Sequence, residues 1–265
     1  MYIRNEWHFK KNQLIEIEHY YPGNYGAPGK KRAEKRKRTP EEIKKQNERN
    51  RVKFLQRLIL ANFTKGDLHL ILNYRPKDRP GYEQGKKDLR RFLSRMRAAY
   101  KRAGLQFKYI AVTEYGKKGH ALHHHLIIQD ITTEQIDTIR LARKLWELGH
   151  AGWTDLYEDG EYKKLAEYIV KRETKQEKEW SSYTRSRNMI LPKPKRKKLY
   201  RRRWPPDPKP WKGYEIIKDS IINGENRFTG YPYQKYIMRK TERTGGQRNA
   251  RDNLHRNDHP GAGKT

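Results

Sequence analysis

The chain has 265 residues, with 62 Lys plus Arg against 31 Asp plus Glu, so its formal charge is +31 at pH 7. This excess of positive charge favours a polyanionic partner and predicts binding that weakens steeply with salt. The absence of cysteine excludes disulfides and cysteine metal sites, and no apolar run is long enough to cross a bilayer, so we expect a cytoplasmic protein with no membrane partner.

The apolar sequence is enough for one compact core rather than two. Hydrophobic residues make up 34% of the chain, and their periodic pattern is concentrated between Phe54 and Glu173. This pattern favours a single domain of about 100 to 130 residues with basic extensions. We therefore predict a basic N-terminal arm and helix over residues 1–62 and the compact domain over residues 63–175.

The N-terminal helix is predicted from Pro40 to about Asn62. Thr39 stands at its N-cap position, and Glu42 follows three residues later at the spacing of a capping box. The segment before it, Gly23 to Arg38, is rich in Gly, Pro, Lys and Arg, which is typical of an exposed arm.

The compact domain begins with a strand, a helix and a second strand. Alternating leucines predict the first strand from Asp67 to Tyr74, and an apolar stripe predicts an amphipathic helix from Glu83 to Arg102. Residues Lys108–Glu114 form the second predicted strand. His69 and Asn73 fall on the less apolar face of the first strand, where they either border a site or are ordinary edge residues.

A run of three histidines at positions 123–125 is the most informative motif, and the apolar tail Leu126–Ile128 after it predicts a buried strand. Side chains in a strand alternate between faces, so His123 and His125 share one face while the middle histidine points to the other. If this strand forms a hairpin with the preceding one, Glu114 lies beside the pair and completes a three-ligand metal site. A chance basic patch is the alternative for the triplet alone.

A short strand is predicted over Gly152–Asp155, followed by a helix from about Tyr162 to Glu173. In that helix Tyr168 and Lys171 are three residues apart and share a face. A tyrosine beside an ammonium group and near a metal is a candidate nucleophile, because both cations favour developing negative charge. Taken alone, Tyr168 would be an ordinary packing residue of an amphipathic helix.

These motifs, in this order, resemble the HUH endonuclease superfamily. A strand ending in Glu114, a strand carrying His123 and His125, and a helix with a Tyr-x-x-Lys motif resemble in particular the rolling-circle replication initiators of bacterial plasmids, phages and integrative elements. The similarity spans roughly residues 63–175. His124 is a departure, because the family usually has a bulky apolar residue at that position.

The resemblance implies a bacterial cytoplasmic enzyme that cuts single-stranded DNA at a replication origin. His123, His125 and Glu114 would hold a divalent ion, Mn²⁺ or Mg²⁺. Tyr168 would attack the scissile phosphate and leave a 5′-phosphotyrosyl bond and a free 3′-hydroxyl, and Lys171 would assist through its charge. A host polymerase and a host helicase would be partners. The implied fold is α+β, with an antiparallel ferredoxin-like or RRM-like sheet packed on helices.

Beyond the compact domain the composition changes. Residues 176–211 are predicted to be a basic, Pro-rich linker, residues 212–240 a small C-terminal subdomain, and residues 241–265 a disordered tail. The linker contains a cluster of basic residues that we predict to bind nucleic acid: Lys193, Lys195, Arg196, Lys197, Lys198, Arg201, Arg202 and Arg203. The alternative is a merely solvated segment.

The tail ends in Gly261-Ala262-Gly263-Lys264-Thr265, which resembles a phosphate loop, but Asp258 stands where the first glycine is needed and no helix follows. No nucleotide cofactor is therefore expected. Two functions of different class remain open: the metal-dependent nickase, with a relaxase or transposase as its near neighbour, and a nonenzymatic single-stranded nucleic-acid-binding protein.

Overall fold

The structure is a computed structural model, and it describes residues 1–34, 37–116, 121–156, 162–174 and 183–241, with only the backbone described at 171–174. The predicted disordered tail, apart from Thr241, lies outside the described residues. Among the helices described, none is both long enough and apolar enough to span a bilayer.

The predicted compact domain is built on a five-stranded antiparallel sheet, which confirms the predicted α+β class. Its strands lie in the order β6-β3-β5-β4-β7. Their bounds are β3 Leu68–Tyr74, β4 Tyr109–Tyr115, β5 Leu122–Ile128, β6 Gly149–Asp155 and β7 Thr184–Arg185.

Helices cover both faces of this sheet. On one face, α2 (Tyr82–Arg102) and α3 (Thr138–Leu145) pack against the leucine face of β3. On the other face, α1 (Pro40–Asn62) and α4 (Lys163–Thr174) pack against the remaining side chains of β4 and β5. The sheet is buried on both sides, and each face has its own hydrophobic core.

Helix α1 begins where the sequence predicts. The Thr39 hydroxyl accepts a hydrogen bond from the Glu42 amide, and the Glu42 carboxylate accepts one from the Thr39 amide, so the predicted capping box is confirmed. The helix contacts two layers: Leu55, Leu58 and Ile59 belong to the core shared with α4, whereas Leu60 belongs to a core on a second sheet.

This second sheet was not predicted. Its six strands lie in the order β10-β11-β2-β1-β8, with β9 paired to β11. Their bounds are β1 Tyr2–Phe9, β2 Leu14–Tyr20, β8 Lys195–Leu199, β9 Tyr214–Ile216, β10 Ile222–Glu225 and β11 Pro232–Lys240. The interpretation of residues 1–62 as only an arm and a helix was wrong, because residues 2–20 form two strands at the centre of a sheet.

Buried charge explains why the strand pattern was missed. Glu6 and Glu16 are almost fully buried, which no alternating apolar pattern reveals. Glu16 is paired with Arg57 of α1 at 2.6 Å and with Lys235 of β11 at 3.4 Å. A buried carboxylate is tolerated only with such partners, and both of them lie far away in sequence.

The segment predicted to be a linker is also part of the fold. Its described portion contributes β7 to the first sheet and β8 to the second, and its Pro-rich stretch, which is not helical, packs Trp204 against Tyr2 and Tyr21 at ring-centroid distances of 5.0 and 4.7 Å. Strand β11 pairs with β2 along seven residue pairs, so residues 212–240 do not form a separate sheet of their own. Strands at both ends of the chain thus complete one structure.

Candidate metal and tyrosine site

The site is set up by the hairpin of β4 and β5. The register pairs Glu114 with His123 and Val112 with His125, as expected if the two predicted strands are neighbours. Because strand side chains alternate, Glu114, His123 and His125 share the face that packs on α1 and α4. Residues 117–120 of the connecting turn lie outside the described part of the chain.

The three side chains converge on one point. Glu114 Oε1 lies 3.0 Å from His123 Nε2 and 2.9 Å from His125 Nε2, and the candidate ligand atoms are all within 4.8 Å of one another. Glu114 is 0% exposed and His125 6% exposed. Two imidazole nitrogens and one carboxylate oxygen are a donor set that suits a divalent ion, and the opening on the His123 side leaves access from solvent.

The outer nitrogens of both imidazoles have partners. His123 Nδ1 donates to the Ala121 carbonyl at 3.1 Å, and His125 Nδ1 lies 3.0 Å from His69 Nε2. Burial lowers the pKa of His69 to about 4, so this ring is neutral and can accept the His125 proton. Both histidines can therefore keep a lone pair on Nε2, the atom directed at Glu114.

His69 is the site residue whose role the sequence did not reveal. It lies on β3, which pairs with β5 so that Ile71 is opposite His125, and its ring stacks on that of His125 at 5.1 Å. A histidine in a leucine-rich strand was the signal that could have drawn attention to it. Its role depends on which strand neighbours β5, and alternation along β3 alone does not show this.

Tyr168 reaches the site from α4. Its hydroxyl donates to Glu114 Oε1 at 3.1 Å and also lies 3.1 Å from His125 Nε2, while its ring packs edge-on against the His125 ring at 5.3 Å. Ala166, Ile169 and Val170 anchor the helix in the core shared with α1. The predicted nucleophile and the predicted ligands are thus brought together, whereas the side chain of Lys171 lies outside the described structure.

Tyr162 is placed differently from Tyr168. It packs in the hydrophobic cores beside α1, and the Lys10 ammonium lies 5.7 Å from its ring centroid. These contacts give it a packing role and leave Tyr168 as the tyrosine of α4 at the ligand cluster.

His124 lies on the opposite face, as strand alternation predicts. Its Nδ1 is 2.8 Å from the Thr113 hydroxyl and its Nε2 is 2.9 Å from the Tyr74 hydroxyl, which also donates to Asp88. Burial lowers the pKa of His124 to about 3, so it is a neutral core residue. Both ring nitrogens are satisfied, which explains how a polar ring is tolerated where an apolar residue is usual in the family that the sequence resembles.

The predicted nucleic-acid-binding residues are exposed and belong to the second sheet. They lie on or next to β8, at the edge of that sheet. Lys197 differs from its neighbours, because its ammonium pairs with the buried Glu6 carboxylate at 2.9 Å and so helps to hold β8 in place.

Comparison with known proteins agrees with this geometry. No curated protein and no solved structure matches the chain. One family model does, described as Replication-associated protein of the ORF2 type, and the match covers less than half of the chain. It includes all four converging residues and His69, and it excludes most of the second sheet. Residues 67–177 thus match a family of rolling-circle replication initiators of the HUH type, which confirms the resemblance seen in the sequence.

Proposed function

We propose that this chain initiates rolling-circle replication by nicking single-stranded DNA at a replication origin, with Tyr168 as the nucleophile. The observation that supports it most directly is the position of the Tyr168 hydroxyl, 3.1 Å from both Glu114 Oε1 and His125 Nε2. Phosphoryl transfer depends mainly on positioning and on stabilising developing charge, and a phenol at a cluster of metal ligands meets both needs.

Glu114, His123 and His125 would hold the divalent ion, Mn²⁺ or Mg²⁺. When bound, such an ion supplies positive charge that stabilises the scissile phosphate and the phenolate. The hydrogen bonds of His123 to Ala121 and of His125 to His69 orient the two rings before any ion arrives.

Tyr168 carries out the covalent step. Its oxygen attacks the phosphorus of the scissile phosphate, and the bond from that phosphorus to the 3′ oxygen of the preceding nucleotide breaks. The phenol proton, which is already directed at Glu114 Oε1, leaves the nucleophile, and the departing 3′ oxygen takes up a proton to become a free hydroxyl. Lys171, three residues after Tyr168, assists through its charge.

The products fit a replication cycle. A host polymerase extends the 3′-hydroxyl, and a host helicase opens the duplex ahead of it. The phosphotyrosyl ester preserves the energy of the broken phosphodiester, so attack by a later 3′-hydroxyl rejoins the strand without ATP. The exposed basic residues of and around β8 hold the DNA backbone during these steps.

The test uses labelled single-stranded DNA fragments from the chain's own genetic element, incubated with the protein in Mn²⁺ or in EDTA and analysed on a denaturing gel. We expect a protein–DNA adduct that needs Mn²⁺, that persists in Tyr162→Phe, and that disappears in Tyr168→Phe. Tyr162 is the matched control because it belongs to the same segment and packs away from the ligands. Tight, salt-sensitive binding without an adduct in any condition would instead identify a nonenzymatic binding protein.

A further inference from the structure

The surface of interest is the edge of the second sheet, beyond the segment that matches the replication family. Strand β8 pairs with β1 and forms one end of this sheet in the described structure. Directly after β8, Tyr200 is 85% exposed and is followed by the exposed residues Arg201, Arg202 and Arg203. An aromatic ring in solvent among cations is the combination that binds unpaired nucleotides.

The backbone that presents Tyr200 is fixed on both sides. Before it, Leu199 pairs with Tyr2 of β1. After it, the Tyr21 hydroxyl donates to the Arg202 carbonyl at 2.9 Å, and Trp204 stacks on the Tyr21 ring at 4.7 Å. Tyr200 is therefore held in the open by an ordered backbone, so little further entropy is lost when a base packs on it.

The cations around Tyr200 are available for phosphates. Lys197 is neutralised by the buried Glu6, and the two lysines and the arginine between α1 and the second sheet are similarly paired with Glu16 and Glu18. By contrast, across the part of the chain that the structure describes, no carboxylate pairs with five cations near Tyr200: Arg196, Lys198, Arg201, Arg202 and Arg203. Cations without a carboxylate partner give up their counterions when they contact a phosphate backbone.

The same surface continues into a cavity of about 490 Å³. Arg203 and Trp204 line it from one side, and Lys30, Tyr21 and Tyr233 line it from others. Aromatic and cationic side chains thus recur within a few residues of Tyr200, so a strand that starts on this ring finds further stacking surface and positive charge along its path.

We propose that Tyr200 stacks on an unpaired base of single-stranded DNA, with the flanking phosphates bound by the cations beside it, so that the second sheet holds the strand outside the nicking site. The identity of the strand as DNA rests on the proposed function. Single-stranded nucleic acid is favoured over duplex because a base inside a duplex cannot offer its face to an exposed ring.

Binding is measured in the Tyr168→Phe background with EDTA, so that neither cleavage nor a metal contributes. The probe is a fluorescein-labelled mixed-sequence DNA strand of about 20 nucleotides, longer than the usual single-strand site. We expect Tyr200→Ala to weaken binding by about 5-fold to 100-fold, as for the loss of one stacked base, and Tyr200→Phe to bind nearly as the parent does. Tyr25→Ala, which changes another exposed tyrosine, is the control and should bind unchanged.

Salt dependence separates stacking from charge. Tyr200→Ala should leave the slope of log K against log salt unchanged, whereas Arg201→Gln should reduce it by about 0.7, the value for one phosphate contact with a single strand. A duplex of the same sequence should bind Tyr200→Ala and the parent equally. An RNA strand bound more tightly than the DNA, with the same loss in Tyr200→Ala, would assign the surface to RNA and refute the DNA assignment.

The proposal is overturned if Tyr200→Ala binds within twofold of the parent, or if Tyr25→Ala loses as much. The outcome does not depend on cleavage, so a chain that binds through Tyr200 but forms no adduct would refute the nickase and leave the stacking surface standing. Conversely, adduct formation by Tyr200→Ala at saturating DNA, with no change in affinity, would refute only the stacking surface.

Discussion

His69 should control metal affinity without touching the metal. Its Nε2 accepts the proton on His125 Nδ1 at 3.0 Å, which leaves the His125 Nε2 lone pair for an ion. The substitution His69→Phe keeps a flat ring for the stacking contact at 5.1 Å but removes the acceptor. The substitution His69→Gln places an amide oxygen, which can still accept, near the same position.

The expected magnitude follows from where the proton goes. In metal-free His69→Phe, His125 can shift its proton to Nε2 and donate to Glu114 Oε1, 2.9 Å away, so little is lost. Metal binding needs the Nε2 lone pair and forces the proton back to Nδ1, where it is buried without an acceptor. Such a donor costs roughly 1–3 kcal/mol, and each 1.4 kcal/mol is about tenfold in affinity. We expect Mn²⁺ affinity to fall between about 10-fold and 100-fold.

The assay is Mn²⁺ titration followed by the electron paramagnetic resonance signal of the free ion, with urea unfolding of each metal-free variant beside it. Asn73→Ala is the matched control, since Asn73 lies on the same strand opposite His123 but is exposed and is not a ligand. Equal Mn²⁺ affinity in His69→Phe and the wild-type chain would refute the reasoning. So would an equal loss in His69→Gln, because that variant keeps an acceptor.

Two further substitutions test the two buried histidines outside the ligand set. His124→Leu should cost roughly 1–3 kcal/mol of stability in urea unfolding, because Thr113 and Tyr74 each lose a buried partner, yet Mn²⁺ affinity should not change, since the ring faces away from the site. Burial lowers the pKa of His19 below its usual 6.5, so folded His19 is neutral and its contribution is lost as pH falls below about 6.5, where the unfolded chain binds the proton. The destabilisation caused by His19→Gln, measured by urea unfolding, should therefore shrink between about pH 7 and pH 5, and a constant difference would contradict the sign.

The parts of the site that could be predicted from sequence depend on local rules. Glu114, His123 and His125 come from two strands joined by a short turn, so alternation and a single assumption about pairing bring them to one face. Tyr168 follows from helical periodicity close by in the chain. The capping box of α1 is also a local pattern, and it appears in the structure as the sequence predicts.

The parts that could not be predicted depend on contacts between distant segments. His69 matters because β3 lies beside β5, and their contact joins residues 56 apart in sequence. The second sheet is more distant still: the buried hydrogen bond between His19 and Gln234 joins residues 215 apart. No periodicity within either segment shows such a partner. Buried carboxylates such as Glu16 make these strands look solvent-exposed in sequence, although an arginine and a lysine compensate them in the fold.

Helix α1 physically connects the proposed nicking site with the proposed DNA-holding surface. One side of it supplies Leu55 and Leu58 to the core that also fixes α4, and so sets where Tyr168 lies. Another side supplies Arg57, whose guanidinium lies 3.5 Å from the Trp7 ring centroid and pairs with Glu16 of the second sheet. Because packed interiors transmit displacement rather than absorb it, a strand held on the second sheet bears through α1 on the helix that carries the nucleophile. The second sheet therefore has a structural reason to accompany the family-matched segment: it fixes α1, and α1 fixes the position of the tyrosine.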